Sequence, residues 1–100
     1  MLSSIRPMSE AALRQFIGKA LDKGWVRESF HSEVERAYRN ISDEDIQYGL
    51  SRKDWIIEDE PEQINKGFKY LIRTVDIEQE ELHLLVLPTD VETLIVVTKY

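Results

Sequence analysis

Residues 30–50 read FHSEVERAYRNISDEDIQYGL, a stretch in which one histidine precedes two charged runs with helical character. Ser32 with Glu35 three residues later matches a capping box, which predicts that a helix begins just after His31. Ser42 is followed by three acidic residues, and negative charge stabilises the positive end of a helix. Two short, separately capped helices are therefore expected here, the second carrying Ile46 and Leu50 inward.

A third helix is expected upstream of this stretch, after a lead-in over residues 1–8. Ser9 is a suitable N-cap, and Gly24 directly after Lys23 is typical of a helix C-terminus. Between them, apolar side chains recur at helical spacing: Leu13, Phe16, Ile17, Ala20 and Leu21. Such a stripe is typical of a helix that packs on a core, and a partner-binding helix is the alternative.

Downstream of residue 55 the hydrophobic pattern changes from helical to strand-like. Residues 67–77, 82–87 and 91–100 are three apolar runs separated by short acidic or proline-containing turns, a pattern typical of an antiparallel meander. The stretch WVRESF (25–30) fits either a strand or an extended connector. The sequence therefore predicts an α+β fold, with N-terminal helices packed on an antiparallel β-meander of three to four strands.

Length and composition favour a single globular domain over residues 1–100. The hydrophobic fraction of 42% is high enough for one core, and no linker divides the chain. Because cysteine is absent, disulfides and thiolate metal sites are excluded. Neither a metal nor a cofactor is expected. No run is long enough to span a membrane, so a cytoplasmic protein is expected. The net charge of −6 disfavours a broad nucleic-acid surface but permits a local basic site.

His31 is the residue whose type and position most suggest chemistry. At a helix N-terminus the positive dipole disfavours the charged imidazole, and a neutral ring can act as a general base. Arg39 would lie about 80° around the helix from His31, with Glu35 between them, whereas Arg36 would point away and be solvated. The alternatives are a histidine packed beside Phe30, a capping role for Glu35, and an ion pair between Glu35 and Arg39.

Polar residues within the apolar strands form a second group of candidates. These are Arg73, Thr98, Lys99 and Tyr100. Thr98 and Tyr100 are expected to share a strand face, and a tyrosine can stack on a base or donate a proton. Ordinary strand packing is the alternative for each of the four. His83 shares a face with two leucines and is expected to be packed and hydrogen-bonded.

The ordered set of these positions resembles a family of small, uncharacterised prokaryotic domains. That family looks like a distant relative of the RelE and BrnT ribonuclease toxins, which belong to the barnase, EndoU, colicin and RelE-like fold. The matching positions are His31, Arg39, Ile41, Ser42 with DEDI at 43–46, Gly67 with Tyr70, and Val96, Thr98 and Tyr100. Residues 25–100 would form this core, with residues 9–24 as an additional helix. One position departs from the pattern, because Glu35 stands where the family often has an arginine.

The resemblance implies a metal-independent endoribonuclease of the toxin–antitoxin type. His31 would take the proton of the 2′-hydroxyl, Arg39 with Arg73 would stabilise charge on the phosphate, and Tyr100 would stack the base or protonate the leaving oxygen. Arg36, Arg73, Thr98 and Lys99 would bind the RNA, and an antitoxin would be the protein partner.

The alternative is a non-catalytic interaction module with the same fold and a degenerate site. It would act through a protein partner or as a homodimer. Glu35, the net charge of −6 and the additional helix favour this alternative.

Overall fold

Two helices and six strands make up the described part of the chain, which comprises residues 6–29, 40–65 and 67–100 of a computed structural model. The helices are α1 (Glu10–Lys23) and α2 (Asp43–Ser51). The strands are β1 (Val26–Glu28), β2 (Ile56–Ile57), β3 (Glu62–Ile64), β4 (Gly67–Val75), β5 (Glu81–Pro88) and β6 (Leu94–Lys99). The α+β class is confirmed, whereas the helix predicted directly after His31 lies outside the described residues.

Both described helices begin at the residues that the sequence predicts. The Ser9 hydroxyl accepts a hydrogen bond from the backbone N–H of Ala12 at 3.1 Å. Ser42 and Asp45 form a reciprocal capping box at the start of α2. Helix α1 ends at Gly24, whose φ of 72° lies in the left-handed region that glycine adopts without strain. Local capping therefore explains these helix boundaries.

The sheet is larger than the predicted meander. Strands β4, β5 and β6 form the expected antiparallel meander within the order β1-β6-β5-β4-β2, and β3 pairs with β4. The prediction of three to four strands was too low, and the sheet is mixed because β1 pairs with β6 in parallel. Strand β1 has only three residues, which is too short to show an alternation of apolar and polar residues in the sequence.

One face of the sheet carries the helices and the core. Its buried side chains come from α1, α2 and alternate strand positions: Leu13, Ile17, Ala20, Ile46, Leu50, Trp55, Tyr70, Ile72, Leu82, Leu84, Val86, Leu94 and Val96. We call this the helix face. The opposite side, which we call the outer face, carries the alternate positions, including Leu71, Arg73, His83, Leu85, Thr98 and Tyr100.

A β-bulge near the end of β6 changes which side chains point to each face. Val96 and Thr98 pair with consecutive residues of β5, so Val97 is the extra residue. Strict alternation from Val96 would place Thr98 on the helix face and Lys99 on the outer face. Because of the bulge, Lys99 is instead buried on the helix face, with 2% of its surface exposed. Thr98 and Tyr100 share the outer face.

Two glycines in the helices provide a matched test of this packing. A Cβ on Gly49 in α2 would lie 2.7 Å from Thr74 Cγ2 and 3.1 Å from the Val75 carbonyl oxygen, whereas a Cβ on Gly18 in α1 would meet no atom within 4 Å. We expect Gly49→Ala to lower the free energy of unfolding by about 1–3 kcal/mol. We expect Gly18→Ala to raise it by about 0.5–1 kcal/mol, because alanine restricts the unfolded chain.

Urea unfolding followed by circular dichroism measures both changes. Stabilisation by both substitutions would contradict the close approach of α2 to β4.

Candidate functional site

Three polar side chains form a row across three adjacent strands on the outer face. Arg73 in β4 is paired with His83 in β5. His83 is paired in turn with Tyr100, because the His83 backbone N–H donates to the Tyr100 carbonyl at 2.7 Å and the Tyr100 N–H donates to the His83 carbonyl at 3.0 Å. We call these residues the Arg73–His83–Tyr100 row. Neighbouring strands are about 4.8 Å apart, so the backbones of Arg73 and Tyr100 are roughly 10 Å apart.

His83 is the most constrained member of the row. Its ring stacks on Tyr100 with 4.7 Å between ring centroids and 7° between ring planes. Nδ1 lies 3.0 Å from Glu58 Oε1, and Nε2 lies 2.6 Å from Glu81 Oε2. Only 16% of the His83 side chain is exposed. His83 is therefore packed and hydrogen-bonded, as expected, but its partners are carboxylates and an aromatic ring on the outer face.

The flanking members of the row are open to solvent. Tyr100 is 51% exposed, and Arg73 is also exposed. Within residues 6–29, 40–65 and 67–100, the Arg73 guanidinium makes no hydrogen bond or ion pair, which leaves its donors available to a ligand. A guanidinium with free donors is well suited to a phosphate, and an exposed aromatic ring is well suited to a nucleobase.

A groove of about 370 Å³ opens beside Arg73. Its lining comes from the end of α2, the start of β2, and the β4–β5 turn: Arg52, Asp54, Ile56, Arg73, Thr74, Val75, Gln79 and Glu81. Arg52 Nε and Nη2 each donate to Asp54 at 2.8 Å, and Arg52 Nη1 donates to the Tyr48 hydroxyl at 2.8 Å. The groove therefore contains one arginine that is neutralised by Asp54 and one, Arg73, whose donors contact none of the described residues.

The hydrogen bonds between Arg52 and Asp54 allow a prediction about the pKa of the Asp54 carboxyl. Hydrogen bonds from Arg52 hold the pKa of the Asp54 carboxyl below its usual value, and the same bonds raise the pKa of Arg52. Because the folded-state pKa of Asp54 is depressed, its stabilising contribution is present above the unfolded pKa and is lost as pH falls through the folded pKa. We expect Arg52→Gln to raise the pKa of Asp54.

Carboxyl-detected NMR titration measures this shift. Lys53→Gln is the control, because it removes a neighbouring positive charge but leaves both hydrogen bonds in place. An Asp54 pKa that is the same in wild type and Arg52→Gln would contradict the assigned cause.

Lys99 lies on the other side of the sheet from the row. Its Nζ is 2.7 Å from Glu28 Oε2, and the two side chains are 0% and 10% exposed respectively. The structure therefore does not bring Lys99 together with Arg73 and Tyr100, although all three are sequence-predicted site residues. Thr98 is half-buried on the outer face, beside Leu85 in the neighbouring row.

The predicted residues His31, Arg36 and Arg39 lie outside the described residues. The last described residue before them is Ser29, which is attached to β6. Its backbone N–H donates to the Val96 carbonyl and its hydroxyl donates to the Val97 carbonyl, each at 2.9 Å. Ser29 therefore lies beside β6, the strand that precedes Tyr100.

A family model described as "Domain of unknown function (DUF4258)" matches residues 28–100. The chain belongs to this family. The DUF4258 match contains the whole Arg73–His83–Tyr100 row, the Glu28–Lys99 pair and the segment with His31. Helix α1 precedes the matched residues. A search of curated proteins and a search of solved structures each found no match.

Two further findings apply to the described parts of this DUF4258 chain. None of the helices there is both long and apolar enough to cross a membrane. In the same residues, no group of three or more His, Cys, Asp and Glu side chains is arranged to hold a metal ion.

The site residues that the sequence did not reveal are Glu58 and Glu81. Both carboxylates belong to acidic stretches that are typical of solvated turns, and only the folded sheet places them against His83. No spacing in the sequence links residue 58 to residue 83, so the sequence contains no signal for this cluster.

Proposed function

We propose that this DUF4258 chain is a metal-independent endoribonuclease of the toxin–antitoxin type, distantly related to the RelE and BrnT toxins. The observation that carries the proposal is the placement of Arg73 and Tyr100, both exposed, at the two ends of one row on the outer face. An arginine with free donors can hold the scissile phosphate while a tyrosine about 10 Å away stacks a base.

The part proposed for His31 comes from the resemblance, because a histidine stands at this position of the family's pattern. In the proposed reaction His31 accepts the proton of the 2′-hydroxyl, while Arg39 and Arg73 stabilise the charge that develops on the phosphate. Arg36 and Thr98 contact the RNA outside the reacting atoms.

Lys99 has a different place in this proposal. Its ammonium is buried against Glu28, so it holds β1 to the end of β6 instead of contacting RNA. The cations that face the substrate are then arginines, whose planar donors match a phosphate better than an ammonium does.

The chemistry of the product tests the proposed reaction. Purified chain is incubated with end-labelled RNA in the presence of EDTA, and the new termini are identified by mass spectrometry. Attack by the 2′-hydroxyl leaves a 2′,3′-cyclic phosphate and a 5′-hydroxyl. The control is the same oligonucleotide with deoxyribose at the cleaved position, which lacks the nucleophile and should stay intact. No cleavage, or cleavage of both oligonucleotides, would contradict the proposal.

A second candidate is a non-catalytic interaction module that works through a protein partner or as a homodimer. The observation that favours it is the pair of carboxylates, Glu58 and Glu81, at the centre of the row in a chain of net charge −6. Both would repel a phosphate unless His83 neutralises them.

Expression in cells that lack any cognate antitoxin separates the two candidates. A ribonuclease toxin should arrest growth, and an interaction module should leave growth unchanged. Tyr100→Ala provides the control for protein expression itself, because it removes the proposed base-stacking ring from an exposed position.

A further inference from the structure

The central member of the Arg73–His83–Tyr100 row contributes little to the core. The His83 side chain lies on the outer face, whereas its strand neighbours Leu82 and Leu84 are fully buried on the helix face. The ring contacts two carboxylates and stacks on one aromatic ring. A side chain that only fills space usually makes fewer polar contacts than this. This arrangement orients the imidazole between the proposed phosphate-binding and base-stacking groups.

The two carboxylates that contact His83 are not equivalent. Glu58 is 32% exposed, and its backbone N–H is fixed to the Leu71 carbonyl at 2.8 Å. Glu81 begins β5, and its side chain is 63% exposed. Glu58 therefore holds Nδ1 from a fixed position, whereas a ligand can displace Glu81 from Nε2 at little cost, since exposed ion pairs contribute about 0–1 kcal/mol.

Both contacts are hydrogen bonds only when both ring nitrogens carry a hydrogen. Carboxylates accept hydrogen bonds but cannot donate them, and a neutral imidazole has one N–H. When the ring carries both hydrogens, the contacts at 3.0 Å and 2.6 Å are both hydrogen bonds, and Nε2 has a proton to give. After giving it, the ring keeps its Nδ1–H bond to Glu58.

We propose that His83 is the general acid of the RNA cleavage reaction and that Glu58 is its positioning residue, an inference that rests on the proposed function. The 2′-oxygen forms a bond to phosphorus as its proton passes to the general base of the proposed function. The bond from phosphorus to the 5′-oxygen breaks, and that oxygen takes the proton from His83 Nε2. The products are a 2′,3′-cyclic phosphate and a 5′-hydroxyl. Tyr100 then has one role, which is to stack the base.

The nature of the leaving group tests this assignment. Cleavage of RNA requires a proton on the departing oxygen, whereas the para-nitrophenyl ester of uridine 3′-phosphate releases a stable phenolate that requires none. We expect His83→Gln to slow RNA cleavage by about 10²–10⁴-fold and to change cleavage of the nitrophenyl ester only a few-fold. Glu58→Gln should show the same selectivity to a smaller degree, and Glu92→Gln, which lies outside the row and the groove, should leave RNA cleavage near the wild-type rate.

Tyr100→Phe is the matched control, because it keeps the ring and removes only the hydroxyl. Any loss that it shows should be equal on the two substrates, whereas selective loss on RNA would make Tyr100 the acid and overturn the assignment of His83. Unchanged RNA cleavage by His83→Gln, or equal loss on both substrates, would also overturn it while leaving the proposed function intact. A wild-type chain that cleaves neither substrate would overturn both proposals.

Discussion

Arg73→Gln is expected to slow RNA cleavage by about 10²–10³-fold, the usual cost of removing one donor that stabilises transition-state charge. Arg73 is exposed on the outer face, and its donors have no partner within the described parts of the chain. Glutamine at this position therefore breaks no bond to the described residues, and the free energy of unfolding should change by less than about 0.5 kcal/mol.

Lys69→Gln is the matched control for Arg73→Gln. Lys69 lies on the same strand and the same face, four residues earlier, and its Nζ is 3.5 Å from Glu62 Oε1. Both substitutions remove one positive charge, but only Arg73 belongs to the row. Single-turnover cleavage rates should separate the two variants, and equal slowing would mean that net charge, rather than the row, governs RNA cleavage.

Glu28→Gln is expected to lower the free energy of unfolding by about 3–5 kcal/mol, because it removes the carboxylate from a buried ion pair whose N–O distance is 2.7 Å. An apolar replacement of both partners, Glu28→Met with Lys99→Met, should recover most of that loss, since the pair then contributes no buried charge.

The exposed pair Lys19–Glu92 provides the comparison. Its N–O distance of 2.8 Å is almost the same, but its side chains are 54% and 49% exposed. Glu92→Gln should therefore cost less than about 1 kcal/mol. Urea denaturation of the variants measures these differences, and similar losses for Glu28→Gln and Glu92→Gln would contradict a dominant effect of burial.

The elements that the sequence predicts well are those with local causes. Ser9, Gly24 and Ser42 mark helix ends through hydrogen bonds within a few residues, and the meander follows from apolar runs separated by short turns. The pairing of β1 with β6 joins residues about 70 positions apart in the sequence. No local pattern encodes that pairing, which explains why the predicted sheet had too few strands.

The sequence predicts the residue types of the candidate site well. It predicts less well on which face of the sheet each side chain lies. Arg73 and Tyr100 stand out as polar groups in apolar strands, and they do share a face. Lys99 stands out equally, yet the bulge at Val97 turns it toward the helix face. A bulge changes the alternation by one residue without a characteristic residue type at this position, so the burial of Lys99 could not be foreseen.

RNA cleavage by wild type and His31→Ala, measured side by side, is the most direct test of the proposed function. The same RNA is incubated with equal amounts of each purified protein, after circular dichroism has shown that both are folded. We expect that only the wild type cuts the RNA, because His31→Ala removes the group that takes the 2′-hydroxyl proton. Equal cutting by the two proteins, or no cutting by either, would contradict the ribonuclease proposal.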